Sequence, residues 1–209
     1  MKKFLSIVLA GCFLSFGLYF AYKILIIKHN SESEERLQIV LDEPYFSAVK
    51  KLVSKNSLEK IAEKNNSKIT NKNWDYLNLE MPKIFRPKTW VVDGKLKFST
   101  TTNNEDLGQI TLDFCQDVSI EKEILIIRTY LENQSTNILD YEKEIKITPL
   151  DKKITLDLFS KIKIMKTIPA FCADYMNKKV KEHNKKDIEQ LKNNIINIIS
   201  SESKYIKIK

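Results

Sequence analysis

Glycine is scarce in this 209-residue chain, with four in all. Gly11 and Gly17 fall in an N-terminal apolar run, and Gly94 and Gly108 stand alone. A phosphate-cradling loop needs clustered glycines, because the backbone must approach the phosphate without Cβ atoms in the way. Walker-A and dinucleotide sites of the familiar kind are thereby excluded. Histidine is scarcer still: His29 and His183 are the two. No paired-histidine zinc motif can be built from them. A Cys–His pair would have to use Cys172 and His183, about 16 Å apart along a continuous helix. That is too far for proton transfer, so His183 reads as a surface residue. Carboxylates such as Asp113, Asp117 and Asp157 are plentiful, but no spacing singles out a pair. The expectation is a chain with no catalytic residue, no metal and no cofactor, hence not an enzyme.

Charge of one sign is not concentrated either. Lysine and arginine number 35 against 27 acidic residues, a net +8. Four of the basic residues, Lys2, Lys3, Lys23 and Lys28, flank the apolar run, so the excess elsewhere is small. Nucleic-acid binding is not expected, since it would show a basic stripe. Interspersed charges read as a solvated surface, with mild attraction to anionic headgroups.

What the chain does have is a long hydrophobic start. Lys2 and Lys3 precede an uninterrupted apolar run from Phe4 to Tyr22, and Ile24 to Ile27 extend it. A bilayer core of ~30 Å takes roughly 20 helical residues. The preferred reading of residues 1–28 is a retained transmembrane signal-anchor. Leu9-Ala10-Gly11-Cys12 also forms a lipobox, which would make Cys12 an acylation site, but the apolar run continues past it. An ordinary signal cleaved near Tyr22 is the third reading. The two lysines before the run place the N-terminus in the cytoplasm and the rest outside it, in a bacterial periplasm. Residues 29–36 read as a polar juxtamembrane spacer and 37–209 as one extracytoplasmic domain, long enough to bury a real core.

Beyond the run lie two cysteines, Cys115 and Cys172. In an oxidising compartment they form a candidate disulfide, with two buried free thiols as the alternative.

Periodicity sets the elements. Leu37, Leu41, Tyr45, Ala48, Val49 and Leu52 recur at helical spacing. This predicts a turn of helix, then a helix over 44–55 with Asp42 as its N-cap; Ser57 caps a further short one. From Ile69 the period becomes two. Asp93-Gly94 predicts a hairpin between 90–92 and 95–101. Ile124 to Leu131, apolar on both faces, predicts a central strand. Lys153 to Met165 predicts an unusually long strand, ended by Pro169. Residues 170–200 predict an amphipathic helix, broken near His183-Asn184, and Tyr205 to Ile208 a last edge strand. The fold class is α+β: short helices, then a curved antiparallel sheet with a long C-terminal helix packed on it.

That order resembles the tubular lipid-binding (TULIP-like) envelope lipoproteins. The resemblance is carried by an N-terminal membrane signal and a helix at Pro44 to Lys55. Strands at Lys95–Thr101, Gln109–Gln116 and Lys153–Met165 follow. A helix then opens at Ile168-Pro169-Ala170-Phe171, and Tyr205-Ile206-Lys207-Ile208 ends the chain. The departure is the lipobox, which does not end the apolar run. The resemblance implies an acyl-chain groove with Leu156, Leu158, Ile162 and Ile164 opposite Met176, Val180, Leu191 and Ile195. Plain core packing is the alternative for those residues. The expected function is a membrane-tethered domain that binds lipid. The alternative is a bitopic structural subunit, with an envelope or secretion protein as partner.

Overall fold

The computed structural model describes residues 12, 14–22, 25–62, 67–80, 91–104, 108–133 and 137–201. Most of the predicted anchor's first half and the predicted edge strand at 205–208 lie outside these. Residues 14–22 are helical. Among the described residues, no helix is long and apolar enough to cross a membrane.

Seven strands form one antiparallel sheet: β1 (Ile26–Leu41), β2 (Ser67–Glu80), β3 (Val91–Asn104), β4 (Gly108–Glu121), β5 (Ile124–Leu131), β6 (Ile138–Leu150) and β7 (Lys153–Pro169). Their order is β1-β7-β6-β5-β4-β3-β2. Helices α1 (Tyr45–Leu52) and α2 (Lys55–Ala62) lie between β1 and β2. A 3-10 turn at Ala170–Cys172 leads from β7 into α3 (Ala173–Ser201), which runs along β1 and β7.

The period-two pattern explains the sheet. On β7, Ile154, Leu156 and Leu158 are buried on the inner face, and Ser160 follows in the same register. β5 is the middle strand, as its apolar character predicts. The outer face is a lattice of cross-strand ion pairs. Arg128 meets Glu144 at 2.5 Å and Glu142 at 3.3 Å; Lys161 meets Glu32 at 3.2 Å and Asp140 at 3.4 Å. Such exposed pairs add little stability each but keep that face in water.

Four expectations are corrected. Residues 29–36, expected as a spacer, and 37–41, expected as helix, are all strand in β1. Its inner positions carry Ser31, Ser33 and Glu35 before Leu37, Ile39 and Leu41, so no apolar alternation announces its first half. Asp93-Gly94 is not a turn; β3 runs straight through it. Glycine leaves room there for Leu77 on the neighbouring strand, whose Cδ1 would lie 2.6 Å from a Cβ and would have to shift. The first helix is preceded by Pro44 as N-cap rather than Asp42. For α2, the Ser54 hydroxyl accepts from the Ser57 N–H at 3.2 Å, so Ser54 takes the capping role.

The fourth correction is to α3, which is continuous through His183 and Asn184. Asn184 is 1% exposed. Its Nδ2 donates to the Ser33 carbonyl at 3.0 Å, Ser33 Oγ at 3.3 Å and the Ser160 carbonyl at 3.1 Å. Its Oδ1 accepts from Ser160 Oγ at 2.6 Å. At the helix end, Lys51 Nζ donates to the Ile199 carbonyl at 2.7 Å and to Glu43 at 2.8 Å, completing an otherwise open C-terminal carbonyl. Asn184→Ala strands the Ser33 and Ser160 groups in the interior and should cost about 2–3 kcal/mol in urea unfolding. The Ser33→Ala/Asn184→Leu/Ser160→Ala triple variant should recover part of that loss, because it removes both hydroxyls along with the amide and leaves only the two backbone carbonyls without it.

Candidate functional site between the sheet and α3

The inner face of the sheet has two halves of different content. Toward α1 and the last turns of α3 it is solid. Leu125, Ile127, Ile145, Ile147, Ile154, Leu156 and Leu158 form one buried cluster with Ala48, Val49, Leu52, Leu58, Ile188, Leu191 and Ile195. Toward the start of β4 and the ends of β3 and β5, the lining becomes aromatic. The Phe98 and Phe114 rings stack with centroids 5.5 Å apart, and Phe114 meets Tyr141 edge-on at 5.3 Å. Leu96, Leu112 and Ala62 complete this second cluster, with Leu131, Ile138 and Ile162 packed at its border.

Polar groups enter this second half from the same inner face. Thr100, Thr129 and Lys143 help bound a cavity of about 20 Å³ beside Phe98, Phe114 and Tyr141. That volume holds about one water. Gln116 ties α2 to the sheet: its Nε2 donates to the Leu58 carbonyl at 3.2 Å, and Thr129 Oγ1 donates to its Oε1 at 3.2 Å.

Lys143 is the unusual member. On β6 it occupies the inner register of Tyr141, Ile145 and Ile147, and its side chain is 14% exposed. Its Nζ lies 3.3 Å from Asp187 Oδ2 on α3 and 5.6 Å from the Tyr141 ring centroid. Burial pushes its pKa down, but the Tyr141 hydroxyl and the Asp187 carboxylate push harder, and the net value lies above the ordinary lysine range. Lys143 is therefore a fixed cation at neutral pH. A lysine that serves as base or nucleophile is tuned the other way.

The predicted groove residues are divided by the structure. Leu156, Leu158, Leu191 and Ile195 meet, but as filled core. Ile162 borders the aromatic cluster, Val180 is buried, and Ile164 and Met176 are half-buried. The aromatic cluster and Lys143 were not among the predicted site residues. Lys143 carried a readable signal, a charge on the apolar face of an alternating strand. His183 is exposed, as expected.

The candidate disulfide is not formed: Cys115 and Cys172 are both free. Cys115 is buried on β4 opposite Tyr130, and Cys172 follows β7. β4 and β7 are three strand spacings apart, about 14 Å, beyond the ~4–7 Å between bridged Cα atoms. The hydrogen bond with Cys115, together with burial, raises the Tyr130 pKa. Cys12 is exposed. Among the described residues, no group of acidic, histidine or cysteine side chains could hold a metal.

A second depression, about 470 Å³, lies on the strands β2 to β4. Polar groups along it pair with each other: Ser99 with Asp113 at 2.7 Å, and Lys97 with Glu132 at 3.2 Å. It reads as solvated surface.

A seven-stranded antiparallel sheet gripping one long C-terminal helix, with two short helices between its first two strands, is a helix-grip fold. Two solved structures share it. Protein of unknown function SA2116 from Staphylococcus aureus superposes with a TM-score of 0.53 at 8% identity, covering 84% of this chain and 98% of that one. TTHA0849 from Thermus thermophilus gives a TM-score of 0.50 at 10% identity, covering 82% and 99%. The sequence matches no family model and no curated protein. The expected TULIP-like resemblance is overturned. The topology these two structures share, rather than the coarse order of helix, strands and helix, defines the fold.

The Lys143–Asp187 pair makes a signed prediction. The folded-state pKa of Lys143 is raised, so its contribution to stability is present below the unfolded value of about 10.4 and is lost as pH climbs through the folded one. In Asp187→Asn the carboxylate's share of that rise is removed, and burial is opposed by Tyr141 alone. Stability should then fall by about 2 kcal/mol at pH 7, less than for a fully buried pair because both side chains keep some exposure. The decline of stability as pH climbs past 10 should also be shallower than in the wild type. Thermal unfolding across pH 7–11 reads both.

Proposed function

We propose that this chain binds an amphipathic acyl molecule between the sheet and the first half of α3, and holds it without transforming it. The observation that carries this reading is the pairing of an aromatic-lined half-core with a fixed inner-face cation. Phe98, Phe114 and Leu112 offer apolar walls, and Lys143 offers an ammonium with three donors, one of them directed at Asp187. An acyl chain would lie along the rings, with a carboxylate or other anionic end at Lys143. The helix-grip fold supports this reading, because it places one long helix over the open side of a curved sheet. Ligand pockets run to roughly 300–1,000 Å³, and the cavity at Lys143 is about 20 Å³. Binding on this reading therefore displaces the first turns of α3 from the sheet. The raised pKa of Lys143 favours holding over catalysis.

A tether at the membrane belongs to the same proposal. Residues 14–22 form a helix whose Leu14, Phe16, Leu18, Tyr19, Phe20 and Tyr22 are all more than half exposed. A helix that is apolar on all sides is built for burial, and lipid is the environment that suits Phe4 to Tyr22 as a whole. On this reading the folded domain lies on the extracytoplasmic side.

Two measurements test these readings. Purified full-length protein in detergent should bind a fluorescent long-chain fatty acid. In Lys143→Met/Asp187→Leu, which removes both charges together, affinity for the acid should fall about tenfold, the loss of one charge-assisted contact. Affinity for its methyl ester should stay unchanged. Equal affinities for acid and ester in the wild type would remove Lys143 from the site. For the tether, the full-length chain should remain with membranes after carbonate extraction, and Cys12→Ser should change nothing. Release of the Cys12→Ser protein would establish the lipoprotein route instead.

A further inference from the structure

We infer that the end of the molecule formed by the start of β1, the end of β7 and the first two turns of α3 is a docking surface for an anionic lipid bilayer. The inference goes beyond ligand binding, and only its orientation rests on the tether.

Three observations converge on this end. The first is apolar exposure. Phe171, in the turn after β7, is 79% exposed, and Tyr175 is 58% exposed one helical turn later. Leu25 and Ile27 at the start of β1 are also exposed. These residues are close in space, because Ile26 pairs with Pro169 and Ile27 with Ile168. His29 Nε2 and Ser31 Oγ both lie 2.9 Å from Asn177 Oδ1, which pins the start of α3 to the start of β1.

The second is charge. Residues 25–31 and 165–179 contain Lys28, Lys166, Lys178 and Lys179 against one carboxylate, Asp174. Lys28, Lys166 and Lys178 make no ion pair with a described residue, whereas Lys161 and Lys163 on the outer face are paired. Lys179 lies over the Tyr175 ring, 5.1 Å from its centroid, so that aromatic and cation present together. Exposed aromatics ringed by lysines match the boundary between acyl chains and anionic headgroups. A protein partner would more often cover the rings in a dry patch with charge removed from its centre.

The third is chain continuity. Leu25 directly precedes Ile26, the first residue of β1. Tyr22, in the apolar helix, stands four positions before Ile26 in the chain, so a membrane-held N-terminus brings this end to the lipid surface first. It is also the end at which α3 would lift to admit an acyl chain.

The test uses the full-length chain in vesicles of phosphatidylcholine, with or without phosphatidylglycerol, carrying acyl chains brominated near the headgroup. Phe171→Trp should add emission that loses roughly half its intensity to bromine quenching in the anionic vesicles. Lys152→Trp, in the β6–β7 turn at the opposite end of the sheet, should add emission that is not quenched. Reversing Lys166 and Lys178 to glutamate in the Phe171→Trp protein should relieve the quenching. Absence of quenching from Phe171→Trp would overturn the inference while leaving both tether and ligand binding standing. Equal quenching at both ends, or equal quenching without phosphatidylglycerol, would overturn it too. A blue-shifted but unquenched emission from Phe171→Trp would assign the patch to a second copy of the chain instead.

Discussion

The side-chain amide of Asn184 reaches Ser33 on β1 and Ser160 on β7, and the rest of the grip is arranged around that contact. Apolar packing alone does not fix where a helix sits along a sheet. A stripe of Ile188, Leu191, Ile195 and Ile199 could slide one turn, about 5.4 Å, and still meet leucines and isoleucines. Hydrogen bonds to two defined serines cannot slide, because a shifted helix would leave four polar groups buried and unpaired. Lys51 at the Ile199 carbonyl and Asn177 at Ser31 hold the two ends of α3 in the same register. Asp187 follows Asn184 by three residues and so shares its face of the helix. The clamp is thus also what brings Asp187 to Lys143.

That dependence separates two kinds of interior. Where α1, α2 and the last turns of α3 meet the sheet, side chains fill the space and the gain is apolar burial. Beside the end of α2, the inner face carries stacked rings, two threonines and Lys143, which pairs with Asp187 at the middle of α3. A partly buried ion pair is a poor way to add stability, since apolar groups of similar volume often serve as well or better. Packing therefore accounts for the first half, whereas the charge in the second is explained better by something it holds.

The legible parts of the chain were those in which one periodicity ran unopposed. β7 alternates without interruption from Ile154 to Leu158, β5 is apolar on both faces, and both strands were placed from sequence. β1 was illegible because its inner positions 31, 33 and 35 are polar, and they are polar because they lie beneath the polar middle of α3. The same contact hid Asn184, whose polarity inside an apolar stripe reads as a break when its partners are out of sight. Asp93-Gly94 misled in a different way. Local turn preference favours a hairpin there, but the ladder with β2 and β4 overrides it, and the glycine serves the close approach of Leu77. A site built of Phe98, Phe114, Tyr141, Lys143 and Asp187 joins three strands and a helix, and no single-element pattern contains it.

The three polar fastenings of α3 are unequal, and their inequality limits how the grip can open. At the first turn, water can replace the exposed His29–Asn177 contact at a net cost of about 1 kcal/mol or less, which leaves one bond, from the buried Ser31 hydroxyl to Asn177, to be parted. The Asn184 network is buried, and parting it would leave polar groups unpaired on both sides. The last turns of α3 are held by Lys51 and by the largest apolar cluster. Detachment from the sheet is therefore cheapest from Ala173 up to the turn before Asn184, about three turns of helix, and rises steeply there. Those turns carry Met176 and Val180, lie beside Ile162 and Ile164, and begin at the exposed Phe171. Asp187 lies beyond Asn184, on the fixed side. A ligand that lifts the first turns would thus find Lys143 still held in place by its partner, a cation positioned before the ligand arrives.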